Sequence, residues 1–275
     1  MHVLAVGDLV GFIPFQPAQV TKDTATYSLK NTVRRSKLFD NLDPGWKSVI
    51  VAHYGAITMP EYLASLAEAR MGRFGRAAAW RNTATFGALD EVRHGQIQAF
   101  FPYGLLDKEP RGDWALKAFH TNDWIVLAVR YLFDDMFVAN DAASIALQLT
   151  FTLETGFTNL QFLSMAADAI DVGDLEFGAL ISSIQTDEAR HAQQGEPTVK
   201  VFIDNGQKEW SQFLIDHMFW RSWRVFALLT GPVDGLLHTA GKPADVVQGV
   251  HRGLGGQAIR RPVPRFRSGL SLVLG

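Results

Sequence analysis

Two short blocks, Asp90-Glu91-Val92-Arg93-His94 and Asp187-Glu188-Ala189-Arg190-His191, repeat one pattern ninety-seven residues apart. On an α-helix, positions i and i+3 project from one face about a turn apart, so the Glu and His of each block converge on a point. Each block is then half of a metal site. A single Glu-x-x-His is common on solvated helices and says little. Two copies with the same flanking Asp and Arg constrain the fold far more, because both helices must lie side by side with these faces opposed.

Helical bundles that hold a metal pair complete two such half-sites with one carboxylate from each of two further helices. Glu154 suits the first place. It is the single ionisable group between Ala142 and Ala167, and a buried carboxylate is costly unless it is coordinated, paired or protonated. A protonated core Glu bonded to a neighbour is the alternative. For the second place, Glu61 and Glu68 lie two turns apart on nearly one face, and spacing does not separate them. Glu61 also has a structural reading, since Thr58-Met59-Pro60-Glu61 has the form of a capping box at a helix start. Four carboxylates balance two divalent ions, and one nitrogen with several oxygens per ion suits iron or manganese better than zinc or calcium. Asp90 and Asp187 have two readings. Each either accepts the free ring N–H of a ligand His across the helix pair or pairs at the surface with Arg93 and Arg190.

The rest of the chain reads as helix. Long mixtures of Ala, Leu, Met, Phe and charge predict helices at about 45–72, 80–101, 113–138, 142–170, 174–195 and 208–230. Phe101-Pro102-Tyr103-Gly104, Asn140-Asp141, Asp171-Val172-Gly173-Asp174 and Gly231-Pro232 supply the breaks. Six helices on short loops predict an all-α bundle over residues 1–233. After Val233 the character changes, with nine of the 24 glycines and five arginines between 231 and 275. Residues 234–275 read as an irregular tail, either a flexible basic end or the truncated or out-of-frame end of a longer reading frame. The string Gly253-Leu254-Gly255-Gly256-Gln257-Ala258 mimics a dinucleotide fingerprint but has no predicted strand before it or helix after it.

Composition narrows the chemistry. The absence of cysteine excludes disulfides, thiolate zinc, iron–sulfur clusters and a cysteine nucleophile. With 26 basic and 28 acidic side chains interspersed, the chain offers no polyelectrolyte surface for nucleic acid. The apolar opening MHVLAVGDLVGFIPF lacks a basic segment before it and a small-residue cleavage site after it, so a cytoplasmic location is expected. The stretch 142–167 is apolar enough to suggest a membrane span, but a central carboxylate costs roughly 2.5 to 3.5 kcal/mol on insertion scales. A buried helix without membrane contact is expected instead.

Four segments together carry a resemblance: His53-Tyr54-Gly55-Ala56-Ile57, Asp90-Glu91-Val92-Arg93-His94-Gly95-Gln96, Glu154-Thr155-Gly156-Phe157-Thr158-Asn159, and the run from Gln185 to Gly195. They resemble the hydroxylase α-subunit of bacterial multicomponent monooxygenases, nearest the toluene and alkene enzymes, over roughly residues 28 to 233. The resemblance implies a ferritin-like bundle with a di-iron carboxylate centre. It favours Glu61 over Glu68 and gives the metal set Glu61, Glu91, His94, Glu154, Glu188 and His191.

The resemblance further implies that Thr158 helps oxygen activation and proton delivery, with Asn159 and Gln185 nearby. A helical Thr bonding back to its own turn is the plain alternative. Ile57, Ala64, Gln98, Phe133, Leu153 and Phe162 would line a hydrocarbon pocket. The implied activity is oxygen insertion into an aromatic or alkene hydrocarbon, using O2 and NADH electrons. The implied partners are β and γ subunits, an effector protein, and a ferredoxin or reductase. A ferroxidase or radical-type protein, using Tyr54 or Tyr62, and a non-catalytic fragment are the rival readings. Three departures stand out: Pro60 directly before Glu61, Leu153 where the toluene enzymes carry an aromatic, and a tail unlike the continuation of the family's longer chains.

Overall fold

The computed structural model describes residues 12–103, 120 and 124–239, and every regular element among them is helical. In chain order these are α1 (Phe12–Ser36), a 3-10 turn (Leu38–Asn41), α2 (Pro44–Phe74), α3 (Ala78–Tyr103) and α4 (Trp124–Val138). Then follow α5 (Ala142–Ala146), a π-helical segment (Leu147–Thr158), α6 (Asn159–Asp171), α7 (Leu175–Asp204) and α8 (Lys208–Thr239). None of the described helices is long and apolar enough to cross a membrane.

Local chemistry explains the boundaries. Asp43 caps α2 by accepting from the backbone N–H groups of Gly45 (2.7 Å) and Trp46 (3.2 Å), and Pro44 takes the first helical position, where no N–H is needed. Capping here shows that Thr58-Met59-Pro60-Glu61 is not a helix start. The Thr58 hydroxyl instead donates to Tyr54 O at 2.7 Å inside α2. Between α6 and α7, Gly173 adopts φ 78° and Asp174 caps the new helix at Phe177 N. Asp174 also accepts from Trp46 Nε1 at 2.9 Å, which ties the start of α7 to the start of α2.

Three expectations need correction. The helix foreseen at 174–195 runs through Pro197 to Asp204, and the one foreseen to end near 230 runs past Gly231-Pro232 to Thr239. A proline removes one N–H bond, and long packed helices absorb that loss, as α2 does at Pro60. Residues 240–275 of the expected tail, and 113–119 and 121–123 of the helix foreseen at 113–138, lie outside the described residues. The single helix foreseen over 142–170 is three pieces, with the middle twelve residues wound as π-helix. There, threonine hydroxyls reach back five residues: Thr152 to Leu147 O (2.7 Å) and Thr155 to Thr150 O (2.6 Å).

Helix α1 was not foreseen at all. It is poor in apolar periodicity, and Thr21, Thr24 and Ser28 bond back onto Pro17, Val20 and Thr24 carbonyls, a habit that disfavours isolated helices. Polar contacts to α3 and α7, described below, hold it.

Helices α2 and α3 pack along one another, α6 and the π segment pack along α7, and α8 crosses the π segment and α2. The core between them holds Trp46, Ile97, Met136, Phe162, Phe177 and Ile184, all at most 2% exposed. Gly195 allows α7 to close on the π segment, since a Cβ there would lie 3.0 Å from Phe151 Cα and 3.1 Å from its ring. Gly195→Ala should therefore destabilise the fold by about 1–3 kcal/mol, because the obstacle is backbone and not a flexible side-chain end. A denaturant midpoint equal to that of the parent would show that the π segment gives way freely.

Candidate metal centre

Four elements aim six side chains at one region of the core: Glu61 from α2, Glu91 and His94 from α3, Glu154 from the π segment, and Glu188 and His191 from α7. None is more than 5% exposed. They form two donor sets. One donor atom from each of Glu61, Glu91, His94 and Glu188 lies within 4.8 Å of the others, and the same holds for Glu91, Glu154, Glu188 and His191. Glu91 and Glu188 belong to both sets, so the two positions are adjacent and share two carboxylates. His94 Nδ1 lies 3.5 Å from Glu61, 3.6 Å from Glu91 and 3.4 Å from Glu188. His191 Nδ1 lies 3.1 Å from Glu91 and 3.5 Å from Glu154.

The far nitrogen of each ring meets an aspartate of the opposite helix. His94 Nε2 is 3.2 Å from Asp187 Oδ2, and His191 Nε2 is 3.3 Å from Asp90 Oδ2. An Nε2–H donated to each aspartate leaves the Nδ1 lone pair facing the carboxylates, as ligation requires. Both readings of these aspartates are partly right. Arg190 also bonds Asp90, and Arg93 Nη1 donates to Asp187 at 3.0 Å, but the aspartates are wholly buried and not at the surface.

Sequence reasoning missed the helix that completes this layer. From α1, Gln19 Nε2 donates to Asp90 (2.6 Å) and Asp187 (3.2 Å), so one amide bridges the two half-sites. Lys22 pairs with Asp187, and Asp23 accepts from Arg93 Nε at 2.6 Å. The region before residue 28 carried no metal-ligand pattern to flag these residues.

Electrostatics shows what the cluster suits. Burial disfavours imidazolium, yet Asp187, Glu188, Glu61 and Glu91 around His94, and Glu154, Asp90 and Glu91 around His191, outweigh it and hold both pKa values well above normal. Burial raises Glu61 and Glu188 and pushes Glu154 up to about 7. Burial pushes Glu91 the same way, but the His191 and His94 rings beside it prevail and hold it far below the carboxylate range. Even so, His94 Nδ1, His191 Nδ1, Glu91 Oε1, Glu188 Oε2 and both Glu154 oxygens are buried without a hydrogen-bond partner among the described residues. Each such atom costs about 1–3 kcal/mol when left unsatisfied. Unmet donor atoms at this density fit metal ions, and three oxygens with one nitrogen per position fit iron or manganese.

The ambiguity between Glu61 and Glu68 is also placed. Glu61 lies in a donor set, whereas Glu68 lies in neither, fully buried and packed on Gly87, where a Cβ would come 2.8 Å from its carboxyl carbon. Burial and the nearby Glu154 raise its pKa well above normal. Thr158 is half-buried and its hydroxyl donates weakly to Leu153 O at 3.4 Å, the back-bonded arrangement. Gln185 is half-buried, and the Asn159 side chain lies outside the described residues. Ile57, Ala64, Phe133 and Phe162 share the main apolar core, with Leu153 packed against it and Gln98 wholly buried. Tyr54 packs edge-on to Phe177, and Tyr62 is 48% exposed.

A helical bundle with a shared carboxylate and histidine cluster defines the ferritin-like class. Residues 14–206 match the model of the methane/phenol/alkene hydroxylase family, and the chain belongs to that family. It is 43% identical over 222 residues to the oxygenase component subunit alpha of the alkene monooxygenase system of Xanthobacter autotrophicus. That match covers 81% of this chain and 44% of the relative. Identity to the methane monooxygenase component A alpha chain of Methylococcus capsulatus is 25%, over 81% of this chain and 42% of that one. The chain thus spans less than half the length of these curated relatives. Among solved structures, phenol hydroxylase from Pseudomonas sp. OX1 shares the fold at a TM-score of 0.77 and 22% identity, covering 93% of this chain and 52% of that one. Toluene 4-monooxygenase with toluene bound shares it at 0.75 and 15% identity, covering 82% and 76%.

The cluster should take up metal against protons. In the metal-free chain His94 and His191 hold protons at neutral pH, and coordination must displace them. Affinity for Mn2+ should therefore rise with pH between about pH 6 and 8, about tenfold per pH unit for each proton released. Calorimetry in buffers of different ionisation enthalpy would detect the released protons, and a flat profile would refute the exchange.

Proposed function

We propose that this chain is the metal-bearing part of an oxygenase that inserts one atom of O2 into a small aromatic or alkene hydrocarbon. The observation that carries the reading is the pair of buried donor sets sharing Glu91 and Glu188. Glu61, Glu91 and His94 with Glu188 would hold one iron ion, and Glu154 and His191 with the shared pair the other. When bound, the two ions supply the activation of dioxygen.

The residues of the chain do the rest. Asp187 and Asp90 fix the tautomer and direction of His94 and His191, and Arg93, Arg190, Lys22 and Gln19 keep those aspartates in place. Glu91 and Glu188 belong to both donor sets and would serve both ions. Ile57, Ala64, Phe133 and Phe162 exclude water and accept an uncharged substrate by shape. Leu153, one residue before Glu154, forms the wall that would turn a ring relative to the ligands. Thr158 Oγ1 is assigned the passage of a proton, and Asn159 and Gln185 are assigned to assist it.

An apolar wall separates substrates by only about 1–3 kcal/mol per methylene, so several hydrocarbons should react. Electrons from NADH would arrive through a separate ferredoxin or reductase, because the chain has no cysteine for an iron–sulfur cluster. Beta and gamma subunits and an effector protein complete the proposed cytoplasmic assembly. The alkene and methane monooxygenase relatives are each the alpha chain of one component of a larger system, which supports a multi-component assembly.

The purified chain should retain about two iron ions, falling to one or fewer in Glu154→Ala and in His191→Ala. Metal analysis reads this directly, and parental iron in both variants would overturn the ligand set. In the reconstituted system, Leu153→Phe should change the product distribution from toluene at unaltered iron content. NADH-driven product formation by the chain alone would remove the need for partners.

A further inference from the structure

Glu61 is held differently from the other carboxylates of the cluster. Its Oε1 accepts from Gln98 Nε2 at 2.6 Å, and its Oε2 faces His94 Nδ1 at 3.5 Å. Gln98 in turn places its Oε1 2.7 Å from His53 Nε2. Both His53 and Gln98 are buried, and the imidazole is boxed edge-on by Tyr54, Phe162 and Phe177 at ring separations of 5.6, 6.2 and 5.1 Å. Glu154, in the other donor set, has no hydrogen-bond donor on either oxygen among the described residues. The two terminal carboxylates are therefore unequal: one is held by an amide, and the other is not.

A metal-bound carboxylate only accepts hydrogen bonds, so the Gln98 amide must present its NH2 to Glu61 and its oxygen to His53. A donor is then required on His53. Burial pulls the imidazole pKa down to about 4, which leaves one ring proton at neutral pH, and Nε2 is where it meets an acceptor. His53 Nδ1 has no hydrogen-bond partner among the described residues, consistent with its being the unprotonated nitrogen.

We propose that His53 and Gln98 are positioning residues for the metal centre: His53 fixes the direction of the Gln98 amide, and the amide reserves one oxygen of Glu61 so that a single oxygen is offered to the ion beside His94. This assigns Gln98 a task other than lining a substrate pocket, and it rests on the reading of Glu61 as a ligand. With the amide reversed, two oxygens would oppose each other at Glu61 and the carboxylate would turn. The reversal would need the other tautomer of His53, whose N–H at Nδ1 would face no acceptor among the described residues.

The test is a Co2+ titration of the full chain, followed by calorimetry and visible absorption, with far-UV circular dichroism confirming that each variant retains its helices. The ion weakened in Glu61→Ala marks the Glu61 position. Gln98→Met keeps the length of the side chain and removes the amide. It should weaken binding of that same ion by about 10- to 100-fold and alter its absorption band, leaving the second ion unchanged. His53→Phe, which suits the aromatic box, should move the same ion in the same direction. The double variant should be no weaker than Gln98→Met alone, because His53 acts only through the amide.

Parental affinity and absorption at both positions in Gln98→Met or His53→Phe would overturn the proposal. Additive losses in the double variant, or equal weakening of both ions, would overturn it as well. If Gln98→Met fails to fold, His53→Phe with its single-ion shift decides the matter. A parent chain that binds no cobalt would refute the metal-centre reading itself and this inference with it, whereas two cobalt ions bound with unchanged variants would refute this inference alone.

Discussion

The crossed pair of contacts between His94 and Asp187 and between His191 and Asp90 governs the rest of the structure. Each histidine comes from one half-site and each aspartate from the other, so neither half is complete without its partner helix. Six charged or ionisable donors can stay in an apolar core only if their orientations are settled before any ion arrives, since a buried charge without a partner is destabilising by several kcal/mol. The aspartates settle the two imidazoles, the arginines settle the aspartates, and α1 covers the assembly from outside. The bundle geometry of α3 and α7 follows from this exchange as much as from apolar packing.

Helix α1 shows the limits of pattern reading. Its anchors are polar, and its partners lie 70 to 168 residues away, as in the contacts of Asp23 with Arg93 and of Gln19 with Asp187. No local period encodes such contacts. The same holds for His53 and Gln98, 45 residues apart, whose relation appears only once α2 and α3 are packed. By contrast, the two Glu-x-x-His blocks are legible because their geometry is local to one helical turn, and Glu154 is legible because a lone charge in an apolar stretch demands a partner. Spacing alone does not separate Glu61 from Glu68, for a physical reason. They share a face, and the choice depends on where along α2 the other helices cross.

The alkene and toluene likeness carried more of the chemistry than spacing did, and 43% identity to an alkene monooxygenase subunit against 25% to a methane monooxygenase chain agrees with it. Residue types gave a metal pair of moderate hardness. They did not distinguish a pocket wall from ordinary core, since Ile57, Ala64, Phe133 and Phe162 are buried on either account. Polar residues were more informative than apolar ones throughout, because a buried polar atom must be matched and a buried methyl need not be.

The π segment from Leu147 to Thr158 lies between the Asp141 cap and the start of α6, and it delivers Glu154. A stretch bonded from i to i+5 holds more residues in each turn than the α-helices flanking it. Loss of one residue inside it would leave ordinary α winding open to the remainder, yet would rotate Glu154 away from Glu188 and His191. The direction of this carboxylate is thus stored as a residue count between two fixed ends. Single-residue insertions and deletions in this stretch are therefore a more severe change than most substitutions.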